Sequence, residues 1–180
     1  MLIHKEKIKS DFKGTIIDIE TIGNFSNFPD SRRYKEIVPV IFGFINNEEL
    51  TIFCAKEKDS IETLKKQILD TLKNLEKPFY TFNSVFEKGV LFHHLGNEIE
   101  FKHELNKEKY ESKLSAVRDL KISNYDDPFN DTGKLCMQAW LNGKVKEAIA
   151  HNRSCLLKEK DILLKRGFRK PDELNLVKLK

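Results

Sequence analysis

Residues 13–23 read Lys-Gly-Thr-Ile-Ile-Asp-Ile-Glu-Thr-Ile-Gly, a run of β-branched side chains that contains two acids and is bounded by glycines. β-Branched residues favour extended backbone, so Thr15 to Ile19 is predicted to form a short buried strand. Asp18 and Glu20 are two positions apart, which places both carboxylates on the same face of a pleated strand. Their separation along that strand is about 6.6 Å, at a rise of about 3.3 Å per residue.

The two acids repel each other by roughly 2.5 kcal/mol at this spacing, if the effective dielectric constant is about 20. A buried strand tolerates that repulsion where a cation lies between the acids. Mg²⁺ commonly binds one or two protein carboxylates together with water and phosphate oxygens. The pattern therefore suggests a divalent-metal site, although an isolated Asp-x-Glu sequence is more often a strand end at which both acids reach solvent.

The composition and length bound the class of protein. A chain of 180 residues fits one domain with a sizeable core. We see neither the apolar run of a membrane span nor that of a signal peptide, and so expect no membrane partner. Cys54, Cys136 and Cys155 are an odd number without a Cys-x-x-Cys spacing. This argues against a zinc knuckle and a disulfide framework and favours the reducing cytoplasm.

Basic residues are concentrated at the C-terminal end. Residues 158–180 contain eight basic and four acidic side chains, a difference of +4 that equals the net charge of the whole chain. We therefore expect one domain over residues 1–166 and a basic tail over residues 167–180. Such a tail either contacts phosphate groups or is simply solvated.

The first half of the chain predicts strands before helices. Residues 1–12 are charged and are expected to be a lead-in. Apolar runs at residues 37–45 and 50–54 flank a polar turn and predict an antiparallel hairpin that the first strand joins. Helical periodicity from residue 60 ends before Pro78, and residues 79–82 predict a fourth strand added in parallel.

The second half is predicted to be mainly helical. We expect a fifth strand around residues 99–101 and a helix over residues 104–120. A turn-rich loop at residues 122–131 precedes a helix that ends near residue 142, and a last helix spans residues 144–166. The predicted fold is α/β, a mixed sheet of three antiparallel strands and then parallel strands, flanked by helices.

Three motifs in this order resemble those of the DnaQ-like (DEDD) 3′–5′ exonucleases, which have the ribonuclease H-like fold. The strand with Asp-Ile-Glu-Thr before Gly23 is similar to the first motif. In the second, an Asn follows a strand and an aromatic-acid pair lies on the next helix. Asn83, Phe86 and Glu87 match this arrangement, with Glu in place of the usual Asp. The alternative for Glu87 is a capping box with Ser84, which needs no metal.

The third motif departs from the family. A Tyr or His there stands four or five residues before a metal-binding Asp, whereas His151 is followed at those positions by Cys155 and Leu156. Projected on a helix, Asn152 and Glu159 lie in the apolar stripe, where a polar group without partners is costly. Glu159 is therefore our candidate for the missing fourth acid.

The resemblance implies metal-dependent hydrolysis of phosphodiester bonds in DNA or RNA, from a 3′ end, with two Mg²⁺ or Mn²⁺ ions. Asp18, Glu20 and Glu87 would then hold the ions, and His151 would orient the attacking water. Asn83 is expected to contact the substrate.

The loop over residues 21–35 is long for a connection inside a domain and carries Arg32 and Arg33, which are also expected to contact nucleic acid. A mobile insertion is the alternative for this loop. Two other functions remain open for the whole chain: a nucleic-acid-binding module that has lost turnover, and a scaffold with ordinary capping acids.

Overall fold

A computed structural model describes residues 1–178 and shows an α/β fold over that range, a six-stranded mixed sheet flanked by five α-helices. The strands are β1 (Leu2–Lys7), β2 (Thr15–Ile22), β3 (Val38–Ile45), β4 (Glu49–Cys54), β5 (Phe79–Thr81) and β6 (His103–Glu104). The helices are α1 (Ile61–Asn74), α2 (Ser84–Leu95), α3 (Lys113–Asp119), α4 (Gly133–Leu141) and α5 (Val145–Arg166).

The strand order across the sheet is β1-β4-β3-β2-β5-β6. β2, β3 and β4 pair in antiparallel fashion, whereas β5 adds to β2 and β6 adds to β5 in parallel. This is the mixed sheet that the sequence predicts, and it is consistent with a ribonuclease H-like arrangement. None of the helices in the described range is long and apolar enough to cross a membrane.

The strand with the two acids lies inside the sheet, between β3 and β5. Its first six residues are buried, because neighbouring strands cover both edges and α5 packs on the face that carries the acids. Asp18 pairs in register with Gly43 of β3. This pairing brings the acids of β2 under α5, the helix expected to carry the third motif.

Three predicted elements differ from the structure. Residues 2–7 are not a lead-in but an edge strand, because Leu2 to Lys7 find open hydrogen-bonding positions along β4. The last strand lies at His103–Glu104 rather than at residues 99–101. The helix expected over residues 104–120 is confined to Lys113–Asp119, where Ser112 caps its first turn. Glu104 pairs with β5 and so cannot begin a helix, and the local sequence pattern does not reveal this pairing.

The segment after α5 docks on the domain as far as the described residues extend. Arg169 and Glu104 exchange both backbone hydrogen bonds, and the Arg169 guanidinium lies 3.0 Å from a Glu104 oxygen. The ring of Phe168 lies 3.8 Å from that of His103, and Val177 donates its backbone N–H to the Ser31 hydroxyl. Arg169, the first basic residue after α5, therefore helps to hold this segment on the domain.

Candidate metal centre

A pocket of about 200 Å³ opens above the acids of β2. Asp18, Glu20, Glu87 and His151 all line it, as the sequence predicts, and Asn83 lies beside them. β2 supplies the first two side chains, the start of α2 the third and the middle of α5 the fourth. The two acids of β2 do not reach bulk solvent, because Asp18 is 5 % exposed and Glu20 is 9 % exposed.

Both carboxylate oxygens of Asp18 have partners. The Lys113 ammonium lies 2.9 Å from Oδ1, and the Asn152 side-chain amide donates to Oδ2 at 2.7 Å. Asn152 can approach Asp18 this closely because the residue paired with Asp18 on β3 is a glycine, Gly43. A β-carbon there would lie 2.1 Å from the Asn152 carbonyl oxygen. Asp18 is therefore neutralised by groups of the protein itself.

The imidazole of His151 is held by a carboxylate from the loop before α4. Its Nδ1 lies 2.7 Å from Asp127 Oδ1, which leaves Nε2 to face the pocket. Burial alone would lower the pKa of His151, but the hydrogen bond with Asp127 and the charge of Glu20 outweigh it and raise that pKa. An imidazole whose second nitrogen is fixed by a carboxylate is the usual arrangement of a metal-binding histidine.

Two cysteines complete a set of converging donors around His151 Nε2. Single ligand atoms of Glu20, Cys136 and His151 all lie within 4.8 Å of one another, and so do those of Asp18, Glu20 and Cys155. His151 Nε2 is 3.7 Å from Glu20 Oε1 and 3.7 Å from Cys155 Sγ. Tetrahedral bonds of about 2.0 to 2.3 Å to one ion would separate neighbouring ligand atoms by about 3.5 Å.

Burial determines which of the donor groups hold protons in the absence of a metal ion. Burial raises the pKa of Glu20 to about 7, against the opposing charge of His151. Burial also raises the pKa of the Cys136 and Cys155 thiols above their usual range. The two thiols therefore hold their protons at neutral pH, whereas Glu20 holds its proton in only about half of the molecules. A metal ion bound by these groups would displace the protons, since a coordinating thiol is deprotonated outright.

Glu87 is buried at the wall of the pocket, and its Oε2 has no hydrogen-bond partner among residues 1–178. Burial and the nearby charge of Asp18 raise its pKa. The capping box considered for this residue does not form. The backbone N–H of Ser84 is instead satisfied by Oε1 of Glu104, from β6. Glu87 is thus free of a structural hydrogen bond at Oε2 and available to a ligand.

Glu159, the candidate fourth acid, pairs with Lys113 of the neighbouring helix α3. Its Oε1 lies 2.6 Å from the Lys113 ammonium, in an ion pair without hydrogen-bond geometry. Burial raises the pKa of Glu159 and the ammonium opposes that rise. The negative charge of Glu159 is therefore directed at Lys113.

The arginines predicted to contact the substrate lie on the loop between β2 and β3. Arg32 is bound to the carboxylate of Asp30, while Arg33 is exposed and stacks its guanidinium 5.0 Å from the centre of the Phe25 ring. Phe25 forms part of a groove of about 370 Å³, which shares Glu20 and Phe86 with the pocket above the acids of β2. Arg33 thus borders a surface that continues into the site.

Sequence reasoning missed Cys136, Lys113 and Asp127 as members of the site. Cysteine spacing does not reveal the site, because Cys136 lies on α4, Cys155 and His151 lie on α5, and Glu20 lies on β2. One local signal was present: His151 and Cys155 are four residues apart on one helix, which places two metal-binding side chains on one face. Cys136, Lys113 and Asp127 are distant from His151 in the sequence and lie near it only in the folded protein.

The donors do not suit two Mg²⁺ ions. Mg²⁺ prefers oxygen ligands with octahedral geometry, whereas each of the two converging groups here includes a thiol and the first also an imidazole. The oxygens of Asp18 already contact Lys113 and Asn152. One ion of the Zn²⁺ type fits the set better, because thiolate and imidazole ligands favour such ions.

Comparison of the chain with protein-family models, curated proteins and solved structures found no match.

Proposed function

We propose that the protein is a nucleic-acid-binding domain of ribonuclease H-like architecture, built around one transition-metal ion. The observation that carries the proposal is the convergence of the buried Glu20, Cys136 and His151, which lie on β2, α4 and α5, with the Cys155 thiol 3.7 Å from His151 Nε2. Bound there, a Zn²⁺-type ion would cross-link the central strand to two helices and offset the cost of burying their polar groups.

The number of protein donors favours a structural rather than a catalytic ion. Catalytic zinc sites usually have three protein ligands and one open position, whereas structural sites have four. Here Glu20, Cys136 and His151 converge within 4.8 Å of one another, and the Cys155 thiol, 3.7 Å from His151 Nε2, would be the fourth ligand. Asp127 fixes the tautomer of His151 by its hydrogen bond at Nδ1, so that Nε2 can donate its lone pair toward the centre.

The groove beside the metal pocket supports a nucleic-acid ligand. Phe25, Phe86 and Met137 line it, and the exposed Lys134 lies at its edge. Phe25 is 56 % exposed, although it is a large apolar ring on a structured loop. Single-stranded nucleic acids bind where bases stack on aromatic rings and phosphates meet basic side chains. A base on Phe25 would place the adjoining phosphates near Lys134 and Arg33.

Binding of a fluorescent single-stranded oligonucleotide, followed by anisotropy, tests the ligand class. We expect Phe25→Ala to weaken binding by about 1–3 kcal/mol, the usual loss for one stacked base. Replacing Lys134 by Ala should lower the slope of log affinity against log salt by about 0.7, because one phosphate contact is lost.

Tyr110 is the matched control for Phe25, because it is 89 % exposed and does not line the groove. Tyr110→Ala should bind like the wild type. Equal affinity of the wild type and of Phe25→Ala, or no binding by either at low salt, would contradict the proposed ligand.

A second candidate function is hydrolysis of a phosphodiester in the same pocket, and the free oxygen of Glu87 favours it. Glu87 Oε2 lies buried at the pocket wall without a partner among the described residues, as a group reserved for a ligand would. In that case Glu87→Gln should abolish cleavage of a labelled oligonucleotide and leave its binding unchanged. Absence of cleavage by the wild type, with Zn²⁺, Mn²⁺ or Mg²⁺ supplied, would leave the binding domain as the function.

A further inference from the structure

Lys113 is the side chain of the pocket that neither the resemblance nor the donor set accounts for. It lies at the first position of the short helix α3 and extends its ammonium between Asp18 on β2 and Glu159 on α5. Its distances to these carboxylates are 2.9 Å and 2.6 Å. The side chain is 16 % exposed, so its charge is largely withdrawn from water.

The surroundings show why a cation is needed at that place. Asp18, Glu20, Glu87 and Glu159 are four carboxylates with little access to solvent. Burying four ionised carboxylates close together costs free energy, unless positive charge lies between them. His151 faces Glu20, whereas Lys113 is the ammonium that contacts Asp18 and Glu159 in the described chain.

We propose that the Lys113 ammonium is a built-in cation that takes the place of a second metal ion between Asp18 and Glu159. The pocket then takes one metal ion, at the Glu20, Cys136, His151 and Cys155 donors. The inference rests on the proposed metal centre only for that first ion. The second position depends on different ligand atoms and can be tested without it.

The chemistry of the vacated position defines which ion it would take. Without the ammonium, Asp18 Oδ1 and both oxygens of Glu159 would lack any other hydrogen-bond partner in the described chain. These are oxygen donors, unlike the thiols and imidazole of the first centre. Oxygen donors that retain water as further ligands suit a hard divalent ion such as Mn²⁺ or Mg²⁺.

The experiment is a Mn²⁺ titration of protein previously loaded with one equivalent of Zn²⁺, with free Mn²⁺ followed by electron paramagnetic resonance. Wild type should leave the Mn²⁺ free. Lys113→Ala should bind one equivalent, at least tenfold more tightly than the wild type does. Lys113→Arg keeps a cation at the position and should resemble the wild type.

A double variant assigns the new site. Lys113→Ala combined with Glu159→Gln should lose the added Mn²⁺ affinity, because one of the two carboxylates has become an amide. If Lys113→Ala is poorly folded by circular dichroism, Mn²⁺ should restore its fold, and Lys113→Gln offers a milder removal of the charge.

The inference is overturned if both charge-removing variants bind no more Mn²⁺ than the wild type, or if they unfold and Mn²⁺ does not restore them. It is also overturned if the Zn²⁺-loaded wild type already binds Mn²⁺ tightly. Failure of the wild type to take up Zn²⁺ is a separate result. It would refute the proposed metal centre, while the comparison of Mn²⁺ binding by wild type and Lys113→Ala still decides the role of Lys113.

Discussion

At the scale of single residues, a glycine on one strand determines how closely an amide can approach an acid on the next. Gly43 faces α5, and a β-carbon at this position would lie 2.1 Å from Asn152 Oδ1 and 2.8 Å from a Leu156 methyl carbon. Asn152 in turn donates to Asp18 Oδ2. Because Gly43 has no side chain, α5 packs close to β3. Asn152 of α5 can therefore contact Asp18, the residue of β2 that pairs with Gly43.

Gly43→Ala is therefore expected to destabilise the fold by about 1–3 kcal/mol, the usual cost of overpacking a core. Urea unfolding followed by circular dichroism measures the change. Gly133→Ala is the control, because its new β-carbon meets nothing within 4 Å and a helix favours Ala over Gly. Equal stability of Gly43→Ala and the wild type would mean that α5 moves away without cost.

The pKa values of Glu20 and His151 predict how pH acts on the metal-free protein. Burial raises the pKa of Glu20 to about 7, and His151 has a pKa above its usual value of 6.5. Both groups bind protons more tightly in the folded state, so their contribution to stability is lost as pH rises through these values. The half-buried His94, whose pKa is lowered to about 4, changes charge in the folded protein below this window.

We expect the melting temperature in excess chelator to fall as pH rises above about 6.5, where folded Glu20 and His151 still lose protons. Glu20→Gln should flatten that slope, because an amide does not ionise. Thermal unfolding at several pH values measures it. A melting temperature that rises over this range in chelator would contradict the assignment.

At the scale of elements, the loop between α3 and α4 is shaped by a buried lysine. Tyr125, Asp126, Asn130 and Asp131 all have positive φ angles between 48° and 61°, a conformation that costs energy for residues other than glycine. Lys158, fully buried on α5, donates to side-chain oxygens of Asn124, Asp127 and Asp131. The lysine therefore holds the loop in the conformation that presents Asp127 to His151.

Lys158→Met should cost roughly 3–5 kcal/mol, because it leaves buried carboxylates without their cation. Lys146→Met, an exposed change on the same helix, should cost little. Chemical denaturation gives both values. A loss below about 1 kcal/mol for Lys158→Met would show that the loop keeps its shape without the lysine.

Elements with a strong local signal could be predicted, and elements defined by pairing could not. The β-branched run of β2, the hairpin of β3 and β4, and the apolar stripes of α1 and α5 are all found where the sequence predicts them. β6 has only two residues and exists because His103 and Glu104 pair with β5. A strand that short has no periodicity of its own.

The residues of the candidate site also fall into two groups, those with a local sequence motif and those without one. Asp18, Glu20, Glu87 and His151 belong to local motifs, and these residues do line one pocket. Cys136 comes from a helix with no motif, and it approaches Glu20 and His151 through the packing of α4 on α5 and β2. Distant residues that meet only in three dimensions leave no pattern in a single sequence.

At the scale of the whole molecule, the segment after α5 completes the packing around β6. Glu104 is fully buried, and its carboxylate satisfies Arg169, the backbone N–H of Asp172 and the N–H of Ser84 at the start of α2. Loss of the segment would therefore act on the helix that carries Glu87. The phosphate contact expected of this segment stays a prediction.

Truncation after Arg166 should destabilise the fold by about 3 kcal/mol, the lower end of the cost of breaking a buried ion pair, because water gains access to Glu104. Lys170→Ala, which removes an exposed charge of the same segment, should leave stability unchanged. Denaturation curves of the two variants decide this. Full stability of the truncated protein would mean that the segment is dispensable for folding.

The metal ion proposed between β2, α4 and α5 is tested most directly by Co²⁺ substitution. We predict one equivalent of Co²⁺ with intense thiolate-to-cobalt charge-transfer absorption. Replacing Cys136 or Cys155 by Ser should weaken the band and lower the affinity by at least about tenfold, since even changes beyond the direct ligands cost 10–100-fold. Cys54→Ser, at a buried free thiol of β4 that is not one of the converging donors, should leave the band unchanged. No charge-transfer band in the wild type, or the same band in the Cys136→Ser/Cys155→Ser double variant, would contradict the metal centre.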